Sequence, residues 1–168
     1  MISSVSLLGD VNALKCQLAG EVLRSSGKLR LCVTGWSMLP SVWPGDTVLV
    51  ERASADQVCE GDIVLFGRDR RLFAHRVVAG ARAVDNPQII TQGDGMPRPD
   101  PPVADSELLG RVSHILRDGR CIDPRTSLRL PERLMAALVR RSESAARLLV
   151  RVHGLRQTSP ERVSPCQN

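Results

Sequence analysis

The chain is expected to fold as a mainly β protein, a small coiled sheet or partly open barrel, with an N-terminal helix and a C-terminal amphipathic helix. Three observations support this. Thirteen glycines and eleven prolines punctuate 168 residues, too many turn signals for a helical bundle. Short apolar runs bounded by turn residues follow one another from 29 to 116. Helical spacing is confined to the two ends of the chain. The length suits one domain with a real core and is short for two. Apolar residues make up 42%, but there are only two Trp, two Phe and no Tyr, so Leu, Val, Ile and Ala must build the core.

Residues 11–26 place apolar side chains at 11, 14, 18, 22 and 23, which suits one helical face, and Gly27 follows as a stop signal. Residues 29–34 alternate as a strand. The segment 35–46 is dense in Gly and Pro. Gly45-Asp46 and Gly61-Asp62 are turn signals ahead of the strands predicted at 47–52 and 61–67. The run 71–79 is apolar on both faces and predicts a strand buried on both sides. A strand at 88–94 leads into an irregular loop rich in Pro and Gly, and strand character resumes at 107–116. From Leu130 a helical stripe of Leu134, Leu138, Ala145, Leu149 and Val152 is interrupted at Ser142. Pro131 and Glu132 suit its first turn, and Gly154 its end. The expected divisions are an N-terminal helical segment (1–28), a central domain (29–124), a C-terminal helical segment (125–156) and a disordered tail (157–168).

Composition narrows the function classes. The net charge of +5 is carried almost wholly by arginine, since lysine occurs only at Lys15 and Lys28. The basic residues are spread and aromatics are scarce, so nucleic acid is not an expected partner. Cys16, Cys32, Cys59, Cys121 and Cys166 are odd in number and far apart, which fits neither a disulfide framework nor a zinc site. Reduced thiols in a cytoplasmic protein are the simple expectation, and no cofactor or metal is expected. The N-terminus lacks a basic segment followed by a long apolar run, so no signal peptide is expected, and no stretch is apolar enough for a transmembrane helix.

Three segments could carry chemistry. In Gly35-Trp36-Ser37-Met38-Leu39-Pro40, a serine lies between a strand end and a Pro-bounded bend. Such a bend exposes the hydroxyl and frees backbone N–H groups for an oxyanion; an ordinary turn serine is the alternative. In Ala74-His75-Arg76, a histidine on an apolar strand is either a hydrogen-bonded core residue or a base suited to a serine at neutral pH. In Gly93-Asp94-Gly95-Met96-Pro97-Arg98-Pro99-Asp100, each Asp could cap a turn or accept the second N–H of His75.

Taken in order, these segments form a longer pattern. Gly35-Trp36-Ser37-Met38-Leu39-Pro40 is followed by Gly45-Asp46 and a hydrophobic strand, then Gly61-Asp62-Ile63-Val64-Leu65-Phe66. After these come His75-Arg76-Val77-Val78, Ile90-Thr91-Gln92-Gly93-Asp94 with a later Asp, and Leu108-Leu109-Gly110-Arg111-Val112. From about Val33 to Val112, roughly half the chain, the pattern resembles the signal-peptidase and LexA-like clan of serine peptidases. The resemblance implies that clan's coiled β-sheet fold.

Bacterial-type signal peptidases and LexA-like proteins pair the serine with a lysine, but no lysine follows Lys28. His75-Arg76 stands where those enzymes carry Lys-Arg. The chain is thus most similar to the Ser–His signal peptidases of endoplasmic-reticulum, archaeal and sporulation type. That similarity implies Ser37 as nucleophile, His75 as base and Asp100 as the distal acid, with Asp94 and Arg76 in support. Gly95 stands where the family has Asn, so local hydrogen bonding must differ. The Ser37 backbone N–H is the oxyanion donor most easily argued. Signal peptidases often carry a serine two residues before the nucleophile; here that position is Gly35, as in LexA-like proteins. Met38 and Trp43 could line the substrate groove, with plain packing as the alternative for Met38.

The implied function is a serine endopeptidase that removes a leader or signal segment from a precursor peptide or protein. A LexA-like self-cleaving regulator, with Ala19-Gly20 as scissile pair, and a non-catalytic peptide-binding module are the alternatives. Signal peptidases are membrane-anchored, whereas this sequence reads as a stand-alone domain. Arg133, Arg140, Arg141, Arg147 and Arg151 beside the C-terminal stripe could bring that helix onto anionic membrane, or the helix could pack on its own domain.

Overall fold

The computed structural model describes residues 3–81, 88–141 and 149, the side chains of 3–10 and 81 excepted. It is mainly β: one antiparallel sheet of eight strands and two helices. In chain order these are α1 (Ser3–Ser26), β1 (Lys28–Cys32), β2 (Thr47–Glu51), β3 (Ile63–Arg68), β4 (Arg71–Ala81), β5 (Gln88–Gln92), β6 (Val103–Ala104), β7 (Leu108–Arg117), β8 (Arg120–Ile122) and α2 (Leu130–Arg141). The sheet runs β1-β2-β7-β3-β4-β5-β6, and β8 pairs with β7. The strands read from sequence all form, within a residue or two at each end.

Two short strands were not expected. β6 pairs Val103 with Ile89 inside the Pro-rich connection. β8 forms a hairpin with β7 across Asp118 and Gly119, both with positive φ. That pair of conformations is what a two-residue hairpin turn requires, and Asp-Gly is its usual sequence.

β3 is the strand buried on both faces. Its alternation sends Ile63 and Leu65 into one core with Val48, Val50, Val112 and Ile115, and Val64 and Phe66 into a second with Val77, Ile89 and Val103. The expectation of two-sided burial for residues 71–79 holds in part. β4 is fully buried only at His75–Val77, and Val78 is exposed. Leu72 and Ala74 pack against the first core, and Phe73 and Val77 belong with the second.

Both helices dock otherwise than their apolar stripes suggest. α1 starts earlier than expected and buries Ala19 and Leu23, whereas Val11, Leu14, Leu18 and Val22 are exposed. Gly27, at φ 72°, closes the helix by donating to Leu23 O at 3.0 Å. α2 buries Ala136 and Val139 and turns Leu130, Leu134 and Leu138 outward. In α2 the smaller residues face inward, whereas α1 buries Leu23 beside Ala19. The positions expected at Ser142, Ala145, Arg147, Arg151, Val152 and Gly154, and the tail 157–168, lie outside the described residues. Among the described residues, no helix is long and apolar enough to cross a membrane.

Candidate functional site

Ser37 sits in the bend between β1 and β2. The bend is pinned at its base by Val33, whose N–H donates to Asp46 O and whose carbonyl accepts from Gly45 N, each at 2.8 Å. Asp46, almost fully buried, accepts Trp43 N at 2.7 Å and a two-pronged contact from Arg117 at the end of β7, which also holds Ser41 O. Below the bend, Met38 and Val42 anchor it in the core beside Leu23 and Val48. Met38 is 2% exposed, so its expected place along a substrate groove is corrected to the packing alternative: the thioether fills the core under the serine. Trp43 is half-buried against Leu39 and Val139.

β4 brings His75 to this bend. Its imidazole lies edge-on to Phe66 and tilted against Phe73, with ring centres 5.9 Å away in each case. His75 Nε2 is 3.0 Å from Ser37 Oγ, and Nδ1 is 2.6 Å from Asp100 Oδ2. A carboxylate can only accept, so Asp100 places the ring proton on Nδ1, and Nε2 is left to accept from the Ser37 hydroxyl. Thr91 on β5 donates its hydroxyl to the same Asp100 oxygen at 2.7 Å, and Asp100 N donates to Thr91 O. Burial works against the Asp100 charge. The hydrogen bonds from His75 and Thr91, with the charges of His75 and Arg68, outweigh it and hold the carboxyl below its usual value.

The two acids left open by the sequence therefore take different places. Asp100 meets the imidazole. Asp94 meets Arg76, which donates from Nε and Nη2 to its two oxygens at 2.8 Å each. Ser41 Oγ also donates to Asp94, and Arg76 reaches on to Gly61 O and Arg125 O. This buried cluster ties the serine bend, β4, the end of β5 and the chain entering α2 into one unit.

Gly93 and Gly95 are required by close approach. A Cβ on Gly93 would stand 2.6 Å from Ser37 O and 3.1 Å from His75 Nε2; one on Gly95 would stand 2.9 Å from Val139 Cγ1 of α2. Gly95 N donates to Ser37 O at 2.8 Å, so the glycine both supports the serine backbone and admits α2. Among the described residues, the Ser37 and Met38 N–H groups donate to no backbone carbonyl. They remain available to a developing oxyanion. Thr34 and Gly35 are exposed, and neither forms a hydrogen bond with the site.

Several residues that build the site were not picked out in the sequence. Thr91 orients Asp100, and Ser41 and Arg117 hold the bend; Arg140, singled out only for a membrane role, donates to Asp94 O at 2.9 Å. Arg68 grips Pro101 O, Pro102 O and Glu107 and so fixes the connection just after Asp100. Its hydrogen bond to Glu107 pulls that carboxyl below its usual value, against the opposing effect of burial. Thr91 alone carried a signal, lying in strand alternation two residues before Gly93-Asp94. The arginines are unremarkable in a chain so rich in them. No group of metal-ligating side chains converges among the described residues.

The described residues thus define a mainly antiparallel β protein bearing a Ser–His–Asp hydrogen-bonded chain at one sheet connection. No protein-family model matches the chain, no curated protein matches its sequence, and no solved structure matches it.

Proposed function

We propose that the protein is a serine endopeptidase of the signal-peptidase and LexA-like kind, with the coiled-sheet fold of that clan, acting on a precursor peptide or protein. The single observation that carries this reading is the unbroken chain from Ser37 Oγ to His75 Nε2 at 3.0 Å and from Nδ1 to Asp100 at 2.6 Å. Nucleophile, base and orienting acid stand within hydrogen-bond reach in the order the chemistry needs.

In this reading, His75 Nε2 takes the Ser37 proton as Oγ attacks the scissile carbonyl. The carbonyl oxygen becomes an oxyanion and is met by the Ser37 N–H. The imidazolium, held by Asp100, then protonates the leaving amine, and an acyl-enzyme on Ser37 remains. A water molecule, deprotonated by His75, attacks the ester and releases Ser37 with its proton restored. The edge of β4 favours an extended substrate. β3 pairs with residues 71–76 on one side, but β5 begins pairing only at Arg76 on the other. Among the described residues no strand pairs with 71–75 on that side, and in this reading an extended peptide adds there.

Self-cleavage at Ala19-Gly20 is disfavoured, because the pair lies inside α1 with Ala19 buried, and a helical bond cannot be attacked in extended form. The test uses an active-site fluorophosphonate and candidate precursors followed by intact mass. Wild type should label at Ser37 and release a fragment, and Ser37→Ala should do neither. Identical behaviour of the two proteins sinks the proposal.

A further inference from the structure

A groove of about 360 Å³ opens between the β4–β5 pair and α2, lined by Val78, Gln92, Gly93, Leu128, Arg133 and Arg140 among others. It lies next to the proposed active site. Gly93 is part of its wall and also approaches Ser37 O and His75 Nε2 so closely that a Cβ would not fit.

Its charge is unbalanced. Asp94 also lines it, but both carboxylate oxygens are engaged by Arg76, so that pair contributes no net charge. Arg133 and Arg140 are different. Each is held by its Nε alone, Arg133 on Leu128 O at 3.1 Å and Arg140 on Asp94 O at 2.9 Å. Their terminal amino groups have no hydrogen-bond or ion-pair partner among the described residues. Glu132, the acid of the same helical turn, is engaged with Arg125 and with Arg129 N. Two guanidinium groups are thus oriented beforehand by backbone carbonyls, with terminal donors unengaged by the described residues, in a groove whose other walls include Val78 and Leu128. A planar carboxylate is the ligand such forks match.

We propose that this groove binds a carboxylate of the peptide substrate, borne by a Glu or Asp side chain a few residues from the scissile bond. The word substrate rests on the peptidase reading, but carboxylate binding does not. Binding is therefore read on the Ser37→Ala protein, which leaves peptide uncut. The probes are acetyl-Ala-Ala-Glu-Ala-Ala-amide, its Gln counterpart, and acetyl-pentaalanine with a free C-terminal carboxylate. Arginine Nε–H signals are followed by nitrogen-15 NMR.

The Glu peptide is expected to shift the Arg133 and Arg140 signals to saturation and to bind about 10-fold more tightly than the Gln peptide, as charge-assisted bonds to a fork do. With Arg133→Gln and Arg140→Gln together, the two peptides should bind alike. The double Lys variant should keep part of the preference, since charge persists without the fork. Equal binding of Glu and Gln peptides to the parent protein, or a preference that survives the double Gln change, overturns the proposal. So does the free-carboxylate peptide outcompeting the Glu peptide at the same signals, which would assign the groove to a chain terminus. Carboxylate binding without any Ser37-dependent cleavage would retire the peptidase reading alone; cleavage indifferent to acid and to both arginines would retire the groove alone.

Discussion

Asp100 decides which nitrogen of His75 carries the proton, and this makes it the most informative single residue to change. Asn at this position can present an N–H to Nδ1 and so favour the wrong tautomer. The Asp100→Asn variant is expected to fold and to lose about 10⁴-fold in kcat, with a smaller change in KM, measured by turnover and by the rate of fluorophosphonate labelling. The same carboxyl has a stability signature. Its folded value lies below the usual one, so the unfolded chain takes up the proton first as pH falls. Its contribution is complete above about pH 4, the ordinary aspartate range, and is lost as pH drops through the depressed folded value. Denaturant titrations from about pH 5 to about pH 2 should show wild type losing stability more steeply than Asp100→Asn; parallel curves would contradict the coupling. Thr91→Val, which removes only the second donor to the carboxylate, should lower turnover less than Asp100→Asn and leave a milder acid dependence.

At the scale of elements, α2 is a brace for the site. Val139 packs on Leu39 and against the face of Gly95, and Arg140 holds the carbonyl of Asp94. Gly95→Ala should push Val139 away, at an overpacking cost of about 1–3 kcal/mol, and slow Ser37 labelling. Val139→Ala in the same chain should recover part of that loss. The coupling is read from denaturant midpoints of the two single variants and the double variant, and simple additivity would place the strain elsewhere. The outward side of the same helix sets Leu130, Leu134 and Leu138 beside Arg141. We propose that this face rests on anionic lipid, since apolar side chains beside a guanidinium group match such a surface. Flotation with phosphatidylglycerol vesicles should recover the protein, and Leu134→Glu with Leu138→Glu should abolish recovery; no recovery of wild type removes the membrane from the account.

Across the whole molecule, the Arg76–Asp94 pair joins segments that the sheet alone does not connect. Arg76→Met would leave a buried carboxylate without its partner, at about 3–5 kcal/mol. In a domain of this size that corresponds to a melting temperature lower by roughly 10 °C or more, read by calorimetry or circular dichroism. An unchanged melting temperature would mean that the cluster carries little of the stability. The wild-type pair is a structural joint beside the Ser37–His75–Asp100 chain, and activity should fall in this variant only as far as folding does.

The linear chain was enough to fix the strands, because their signals are local. Alternation, β-branched runs and Gly-Asp turns act over a few residues, and they mark the stretches that became β1 to β5 and β7. The order of Ser37, His75 and the two acids was legible for the same reason. The two short strands were harder, since β6 has almost no run of its own and exists because Ile89 offers a partner across the sheet. Which acid meets the imidazole, which side chains fill the core beneath the serine, and which face of each helix turns inward were decided only by tertiary packing. A periodic stripe specifies that a face is apolar, but not whether the neighbouring surface is close enough to admit Leu or only Ala and Val. A carboxylate in a loop becomes the partner of His75 or of Arg76 only when strands far apart in sequence set the distances between them.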